Sequence, residues 1–171
     1  MTAPESAPLA VVMGVSGCGK STIGALLAER LAVPFADADA FHPAANIAKM
    51  SAGIPLDDAD RRPWLASIGE WLAEHRARGA VMACSALKRT YRDQIRTPAP
   101  GTVFLHLDGP FEVALTRVQS RPGHFMPASL LRSQYADLQP LESDEAGTTA
   151  DFARPADALV GEFAAWLDHA R

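Results

Sequence analysis

The stretch GVSGCGKST, residues 14–22, governs how the rest of the sequence is interpreted. Gly14, Gly19, Lys20 and Ser21 match the pattern G-x-x-x-x-G-K-[ST] of a phosphate-binding loop. Glycine permits the backbone angles with which successive N–H groups point at one phosphate, and the following helix presents its N-terminus to the anion. The lysine can reach the outer phosphates, and the serine hydroxyl can hold Mg²⁺. The stretch predicts a nucleotide site but leaves the phosphoryl acceptor open.

Apolar segments alternate with helical patterns on both sides of this loop. Strands are predicted over residues 9–14, 33–39, 80–85, 102–109 and 148–153. Helices are predicted over residues 20–32, 42–50, 63–78, 110–120, 127–138 and 155–170. This alternation is typical of β/α units around a parallel sheet. We therefore expect one three-layer α/β domain spanning residues 1–171.

The composition excludes several classes of protein. The formal net charge is −4 and no block of like charge occurs, so no basic surface for a nucleic-acid backbone is expected. No segment reaches the roughly 20 apolar residues that a membrane span needs. The N-terminus MTAPESAPLA has no basic start and no long apolar stretch, unlike a secretion signal. Two cysteines, Cys18 and Cys84, fit a reduced compartment, and a cytoplasmic protein is expected.

The positions of the acidic residues separate the classes of nucleotide-binding protein. A guanine-specific switch needs an N-K-x-D-like motif, which the sequence lacks. An ATP-driven motor usually carries an acid at the end of a central strand, but the strand 80–84 runs into CSALK. The acids follow the second strand instead, where Asp37 can support Mg²⁺ through its water shell and Asp39 can accept a hydroxyl proton. This arrangement indicates a small-molecule kinase, although two solvated aspartates capping the next helix are the alternative.

A cluster of cations indicates the charge of the acceptor. Lys88, Arg89 and Arg92 follow Ser85 at the end of a strand, where ligands bind in open α/β sheets. Arg61 and Arg62 lie near a helix N-terminus, where cations oppose the helix dipole. In an acidic protein, such a cluster predicts a pocket for an anionic substrate, with a solvated helix face as the alternative.

Taken together, these segments resemble the gluconokinases of the shikimate-kinase-like P-loop group. The matching blocks are MGVSGCGKST, DADAFHPAANIAKMSAGIPLDDADRRPWL, CSALKRTYRDQIR and GHFMPASLLRSQYADLQPLE. The resemblance implies ATP-dependent phosphorylation of D-gluconate at its 6-hydroxyl, with Mg²⁺. It also implies a five-stranded parallel sheet in the order 2-3-1-4-5, a helical lid over about 118–138, an acceptor-binding segment over about 40–78, and a homodimer, the state that family members often adopt.

The resemblance also implies roles for individual residues. Lys20, Asp39 and Arg121 are expected to be catalytic, with Asp39 as the base, and Ser21 and Asp37 are expected to serve the Mg²⁺ ion. The ATP-binding residues are expected to be Gly14, Val15, Ser16, Gly17, Cys18, Gly19, Lys20, Ser21, Thr22 and Arg117, the last stacked on adenine. The substrate-binding residues are expected to be Asp39, His42, Lys49, Arg61, Ser85, Lys88, Arg92 and His124.

Two other functions stay open from the sequence. One is a different small-molecule kinase, for shikimate or a nucleoside monophosphate. The other is a non-catalytic nucleotide-binding switch, which the clustered cations of residues 88–92 disfavour.

Overall fold

The computed structural model describes residues 7–120 and 127–170. Five strands form the sheet: β1 (Leu9–Met13), β2 (Phe35–Asp37), β3 (Ala80–Ala83), β4 (Val103–Asp108) and β5 (Gly147–Asp151). The helices are α1 (Lys20–Leu31), α2 (Ala44–Ser51), α3 (Asp58–Glu74), α4 (Arg89–Arg96), α5 (Phe111–Gln119), α6 (Ala128–Asp137) and α7 (Ala156–His169). A short 3-10 helix, Ala38–Phe41, joins β2 to α2.

The sheet is parallel throughout and has the order β2-β3-β1-β4-β5, which confirms the prediction. The register of the central strand places Ala10 opposite Val81 of β3 and Val103 of β4. Because all five strands run in one direction, their carboxyl ends meet at one edge, where open α/β sheets bind ligands.

Helices cover both faces of the sheet, as a three-layer fold requires. On one face, Val12 and Leu105 pack with Leu27 of α1 and Phe163 of α7. On the other face, Val11, Met82 and Phe104 pack with the buried side chains of α3 and α4, which are Trp64, Leu65, Ile68, Leu72, Tyr91 and Ile95. β1 is buried at every position because both of its faces are covered.

Helix α3 begins earlier than the sequence pattern predicts, at Asp58 rather than Pro63. Asp57 accepts a hydrogen bond from the Asp60 N–H, and the Asp60 carboxylate accepts one from the Asp57 N–H. This reciprocal pair is a capping box, which satisfies backbone donors that a helix start leaves free. Pro63 consequently lies inside the helix.

In the part of the chain that the structure describes, no helix is long and apolar enough to cross a membrane.

Candidate active site

The phosphate loop connects β1 to α1 and has the backbone geometry of an anion site. Gly17 adopts a φ of +83°, and a Cβ there would lie 2.6 Å from the Ala114 carbonyl oxygen. Gly19 adopts a φ of +92° at the N-cap of α1 and carries no side chain that could occupy the free N–H groups. Those N–H groups and the positive end of the helix are therefore available to phosphate oxygens.

The second strand delivers two carboxylates beside this loop. The Ser21 hydroxyl donates a 2.5 Å hydrogen bond to Asp37 Oδ2, and the Asp39 N–H donates to Asp37 Oδ1 at 3.0 Å. The Asp39 carboxylate is exposed. The hydroxyl of Ser21 and the carboxylate of Asp37 are oxygen donors, which suit Mg²⁺, an ion that keeps several waters and binds substrate phosphates.

Cys84, at the end of β3, marks where these charged groups converge. Burial is the main cause that raises the pKa of its thiol to about 12, and the nearby carboxylates of Asp39 and Asp37 add to the effect while the Lys20 ammonium opposes it. Lys20 and the two aspartates are thus gathered around one strand end. Cys84 and Cys18 are free thiols, and burial also raises the pKa of Cys18.

A polar cleft of about 810 Å³ opens next to these groups. It lies between the start of α3, the loop from β3 to α4, and helix α6. The polar side chains along its walls include Asp58, Arg61, Ser85, Lys88, Tyr91 and Gln134. The cleft therefore contains two cations, Arg61 and Lys88, and three carboxylates, Asp57, Asp58 and Asp137, together with neutral hydrogen-bonding groups.

Tyr91 organises the cationic wall of the cleft. Its hydroxyl donates to Asp58 Oδ1 at 2.7 Å and accepts from Arg61 Nη1 at 3.2 Å. Lys88 Nζ lies 5.6 Å from the centroid of the Tyr91 ring. Burial, with the bond to Asp58, raises the pKa of Tyr91 to about 12, so the hydroxyl stays protonated at neutral pH. Asp58 lies 3.9 Å from Arg61 Nη1, and the Arg61 guanidinium and the Lys88 ammonium are the cationic groups that this wall offers to an anionic ligand.

A second cavity, of about 320 Å³, is lined by Gly17, Cys18 and Gly19 of the phosphate loop. Arg117 crosses it, donating to the Gly17 carbonyl at 3.3 Å and to the Phe152 carbonyl at 2.9 Å. Its guanidinium lies 5.0 Å from the centroid of the Phe152 ring. Arg154 and Thr22 also line the cavity. Phe152 is buried, so the half-buried Arg117 guanidinium is the flat group in this cavity on which a nucleobase can stack.

Known proteins with this arrangement are kinases. The family model for shikimate kinase matches residues 16–147. A gluconokinase from Gluconobacter oxydans strain 621H is 53% identical over 137 residues, covering 79% of this chain and 77% of that protein. The thermosensitive gluconokinase of Escherichia coli strain K12 is 46% identical over 137 residues, covering 79% and 73%. The chain belongs to the gluconokinase family.

A solved structure agrees with this assignment. The crystal structure of a gluconokinase from Sinorhizobium meliloti 1021 superposes with a TM-score of 0.86 at 47% identity, covering 95% of this chain and 92% of that one. Membership in the gluconokinase family and the P-loop kinase fold are thus both confirmed, and the chain is an enzyme of the kinase class.

The structure contradicts one site residue predicted from the gluconokinase resemblance. Arg92 is 0% exposed, and its guanidinium donates to both carboxylate oxygens of Glu145, at 2.7 and 2.9 Å. It also donates to the carbonyl oxygens of Ala86 and Leu87, at 2.9 and 3.3 Å. Arg92 therefore has no free face for a substrate carboxylate. The prediction was wrong because an arginine in the helix after a strand can be buried when a carboxylate from a distant loop, here Glu145, pairs with it.

Two other predicted substrate residues lie beside the cleft and have partners of their own. Lys49 Nζ pairs with Asp60 Oδ2 at 2.7 Å, so its ammonium is engaged at the start of α3. His42 stacks on Trp64 with ring centroids 4.3 Å apart, and burial lowers its pKa. Trp64 lines the cleft and donates to the Ala38 carbonyl at 2.7 Å, which ties the Asp37–Asp39 segment to the cleft wall. The predicted residues Arg121 and His124 lie outside the described residues.

The sequence interpretation missed Tyr91, Asp58 and Gln134. Tyr91 lies three residues after Lys88, one helical turn away, so helical spacing alone could have placed the two side chains together. Asp58 lies in the first turn of α3, a position that aspartate favours for the helix dipole alone, so its sequence position carries no sign of a role in the cleft. Gln134 contacts Ser16 across 118 residues of sequence, and no local pattern signals such a contact.

Proposed function

We propose that this chain transfers the γ-phosphoryl group of ATP to the 6-hydroxyl of D-gluconate, giving 6-phosphogluconate and ADP. The observation that carries the proposal is the placement of a phosphate loop and a polar cleft with Arg61 and Lys88 at one sheet edge, with Asp37 and Asp39 between them. Phosphoryl transfer depends on positioning and on neutralising charge, and this geometry supplies both.

On the donor side, the loop N–H groups and Lys20 hold the outer phosphates of ATP, and Arg117 stacks on adenine. Ser21, and Asp37 through water, would hold Mg²⁺, which when bound neutralises the charge of the phosphates. In the described residues no cluster of three His, Cys, Asp or Glu side chains forms a metal site.

On the acceptor side, Lys88 and Arg61 pair with the gluconate carboxylate from the wall that Tyr91 organises. Ser85 and His42 hydrogen-bond the hydroxyl groups of the sugar acid. Asp39 receives the proton of the attacking 6-hydroxyl. Its carboxylate is exposed, and the residue lies two positions after Asp37, which would support the Mg²⁺ ion.

We further propose that residues 1–171 act as one kinase domain with an acceptor-binding segment over 40–78 and a lid over 118–138. A lid that excludes water would suppress ATP hydrolysis, and Arg121 and His124 within it would approach the two substrates. We also propose a cytoplasmic, homodimeric enzyme that binds neither nucleic acid nor membrane, in keeping with its net charge of −4.

A panel of acceptors tests the assignment. ADP release is measured with gluconate, other sugar acids, shikimate and nucleoside monophosphates, and we expect strong turnover with gluconate. Turnover with a nucleoside monophosphate or shikimate, and none with gluconate, would make the chain a different small-molecule kinase. Slow hydrolysis that no acceptor alters would make it a nucleotide-binding switch.

The role of Lys88 gives a sharper prediction. Lys88→Ala should raise the gluconate KM by about 10–100-fold, because a hydrogen bond to a charged group contributes roughly 1.5–3 kcal/mol. The KM for ATP should stay nearly constant. Arg62→Ala is the matched control, because it also removes one cation but from a separate groove between α3 and α4. The gluconate KM of this variant should stay near the wild-type value. If Lys88→Ala weakens only ATP binding, Lys88 belongs to the donor side.

A further inference from the structure

Gln134, on helix α6, makes a two-way contact with the phosphate loop. Its Oε1 accepts from the Ser16 N–H at 2.7 Å, and its Nε2 donates to the Ser16 hydroxyl at 3.1 Å. The same side chain lines the acceptor cleft. Gln134 is thus a side chain that touches both the loop and the wall of the cleft.

Helix α6 is held in place near this side chain. Tyr135 donates its hydroxyl hydrogen to the Gly109 carbonyl at 2.8 Å and packs edge-on against Phe111. Beyond the helix, the Gln139 N–H donates to the Leu87 carbonyl at 2.7 Å, and its side-chain oxygen accepts from the Arg89 N–H at 2.8 Å. These contacts attach α6 to the end of β4 and to the loop that carries Lys88. In this structure the carboxamide of Gln134, which lies within the proposed lid segment 118–138, is therefore held against the phosphate loop.

The direction of the nucleotide places its terminal phosphate near this carboxamide. The cavity of Arg117 and Phe152 is lined by Gly17, Gly19 and Thr22, whereas Ser16 contacts Gln134 of the acceptor cleft. A triphosphate whose base lies in the cavity and whose terminal group passes Ser16 would end at the cleft. Gln134 lies at that end, beside Ser16.

The carboxamide also has capacity left for a ligand. A glutamine side chain offers two N–H donors and two acceptor lone pairs, and the contact with Ser16 uses one donor and one lone pair. The remaining N–H belongs to a half-buried group beside the cleft. Its natural partner is a phosphoryl oxygen, because charge-assisted hydrogen bonds are the stronger ones.

We propose that Gln134 binds the γ-phosphoryl group of ATP, holding Ser16 with one edge of its carboxamide and donating its second N–H to the transferred group. This inference rests on the proposed use of ATP as donor, but not on gluconate as acceptor. It makes Gln134 a residue that distinguishes ATP from ADP and that fixes the phosphoryl group in line with the cleft.

Nucleotide binding without an acceptor tests the inference. The dissociation constants of a non-hydrolysable ATP analogue and of ADP are measured for the wild type, Gln134→Met and Gln134→Glu. We expect Gln134→Met to weaken the ATP analogue by about 10–100-fold, the value of a hydrogen bond to a charged group, and to change ADP affinity much less. Retained ADP binding also shows that the variant loop is folded.

The glutamate variant adds a readout that a structural role would not produce. Its carboxylate would repel the γ-phosphate at pH 8, and a neighbouring anion raises a carboxyl pKa, so affinity for the ATP analogue should recover between pH 8 and pH 6. Gln134→Met should show no such recovery. Gln94→Glu, the same change in the groove between α3 and α4, is the control and should match the wild type.

The outcomes separate this inference from the proposed function. Equal losses of ATP analogue and ADP affinity, or no loss of either, together with a pH-independent Gln134→Glu variant, would overturn the role of Gln134. If the acceptor panel excludes gluconate while Gln134→Met still loses the ATP analogue selectively, the inference stands and the acceptor assignment fails.

Discussion

Asp39→Asn is expected to lower turnover with gluconate by about 10²–10⁴-fold, the usual contribution of a general base. The amide keeps the shape of the side chain but cannot accept the hydroxyl proton. Affinity for ATP should change little, because Asp37, not Asp39, accepts the Ser21 hydrogen bond at the Mg²⁺ side of the site. Steady-state kinetics with each substrate varied in turn separates the two effects.

Two further variants control this measurement. Asp37→Asn should raise the Mg²⁺ concentration needed for half-maximal rate, which Asp39→Asn should not do. Asp168→Asn, on the exposed end of α7, makes the same chemical change far from the site and should leave turnover unchanged. Wild-type turnover in Asp39→Asn would remove Asp39 from the mechanism.

Glu145→Gln is expected to reduce the free energy of unfolding by about 3–5 kcal/mol, the usual effect of breaking a buried ion pair from one side. The side chains of Glu145 and Arg92 are both 0% exposed and make two parallel hydrogen bonds. The glutamine would leave the Arg92 charge buried without its counter-charge. Urea unfolding at pH 7 measures the loss, and a change under about 1 kcal/mol would contradict this reading.

Acid sensitivity gives the same pair a second test. Burial by itself would raise the pKa of Glu145, but hydrogen bonds from Arg92, the Glu142 N–H and Arg96 outweigh it and hold the pKa at about 2, below the usual 4.5. The stabilisation is therefore fully present above about pH 4.5 and is lost as the pH falls toward 2. The stability gap between wild type and Glu145→Gln should narrow in that window. A gap that stays constant would contradict the low pKa.

The buried pair also supports the cleft. Arg92 donates to the carbonyl oxygen of Ala86, which has a φ of 44°, a conformation that costs energy for a residue with a Cβ. The segment from Ser85 to Lys88 thus depends on Arg92. The double variant Arg92→Met with Glu145→Leu should regain much of the stability lost in Glu145→Gln, because apolar residues can replace a buried ion pair. The gluconate KM of the double variant should be higher than that of the wild type, because the hydrogen bonds from Arg92 to the loop are lost.

The sequence predicted features that depend on neighbouring residues. The phosphate loop is one continuous segment, and the alternation of apolar strands with amphipathic helices determines the layers of the sheet. The hydrogen bond between Ser21 and Asp37 follows from the same logic, since Ser21 lies at the start of α1 directly after the loop and Asp37 lies at the carboxyl end of β2. Such features need no knowledge of distant contacts.

Contacts between distant segments were beyond the sequence. Arg92 looked like a free cation because its partner, Glu145, lies 53 residues away in the loop before β5. Gln134 and Ser16 are 118 residues apart. Even the start of α3 was misjudged, because Pro63 is a strong signal for a helix start while the capping box of Asp57 and Asp60 lies a turn earlier.

The central claim is that ATP and gluconate meet in one cleft with Asp39 between them. A crystal structure with a non-hydrolysable ATP analogue and D-gluconate tests it most directly. We predict an Asp39 carboxylate oxygen within about 3 Å of the gluconate 6-hydroxyl, which faces the γ-phosphorus, and the gluconate carboxylate against Lys88. Gluconate bound elsewhere, or Asp39 turned away from a correctly seated hydroxyl, would contradict the account.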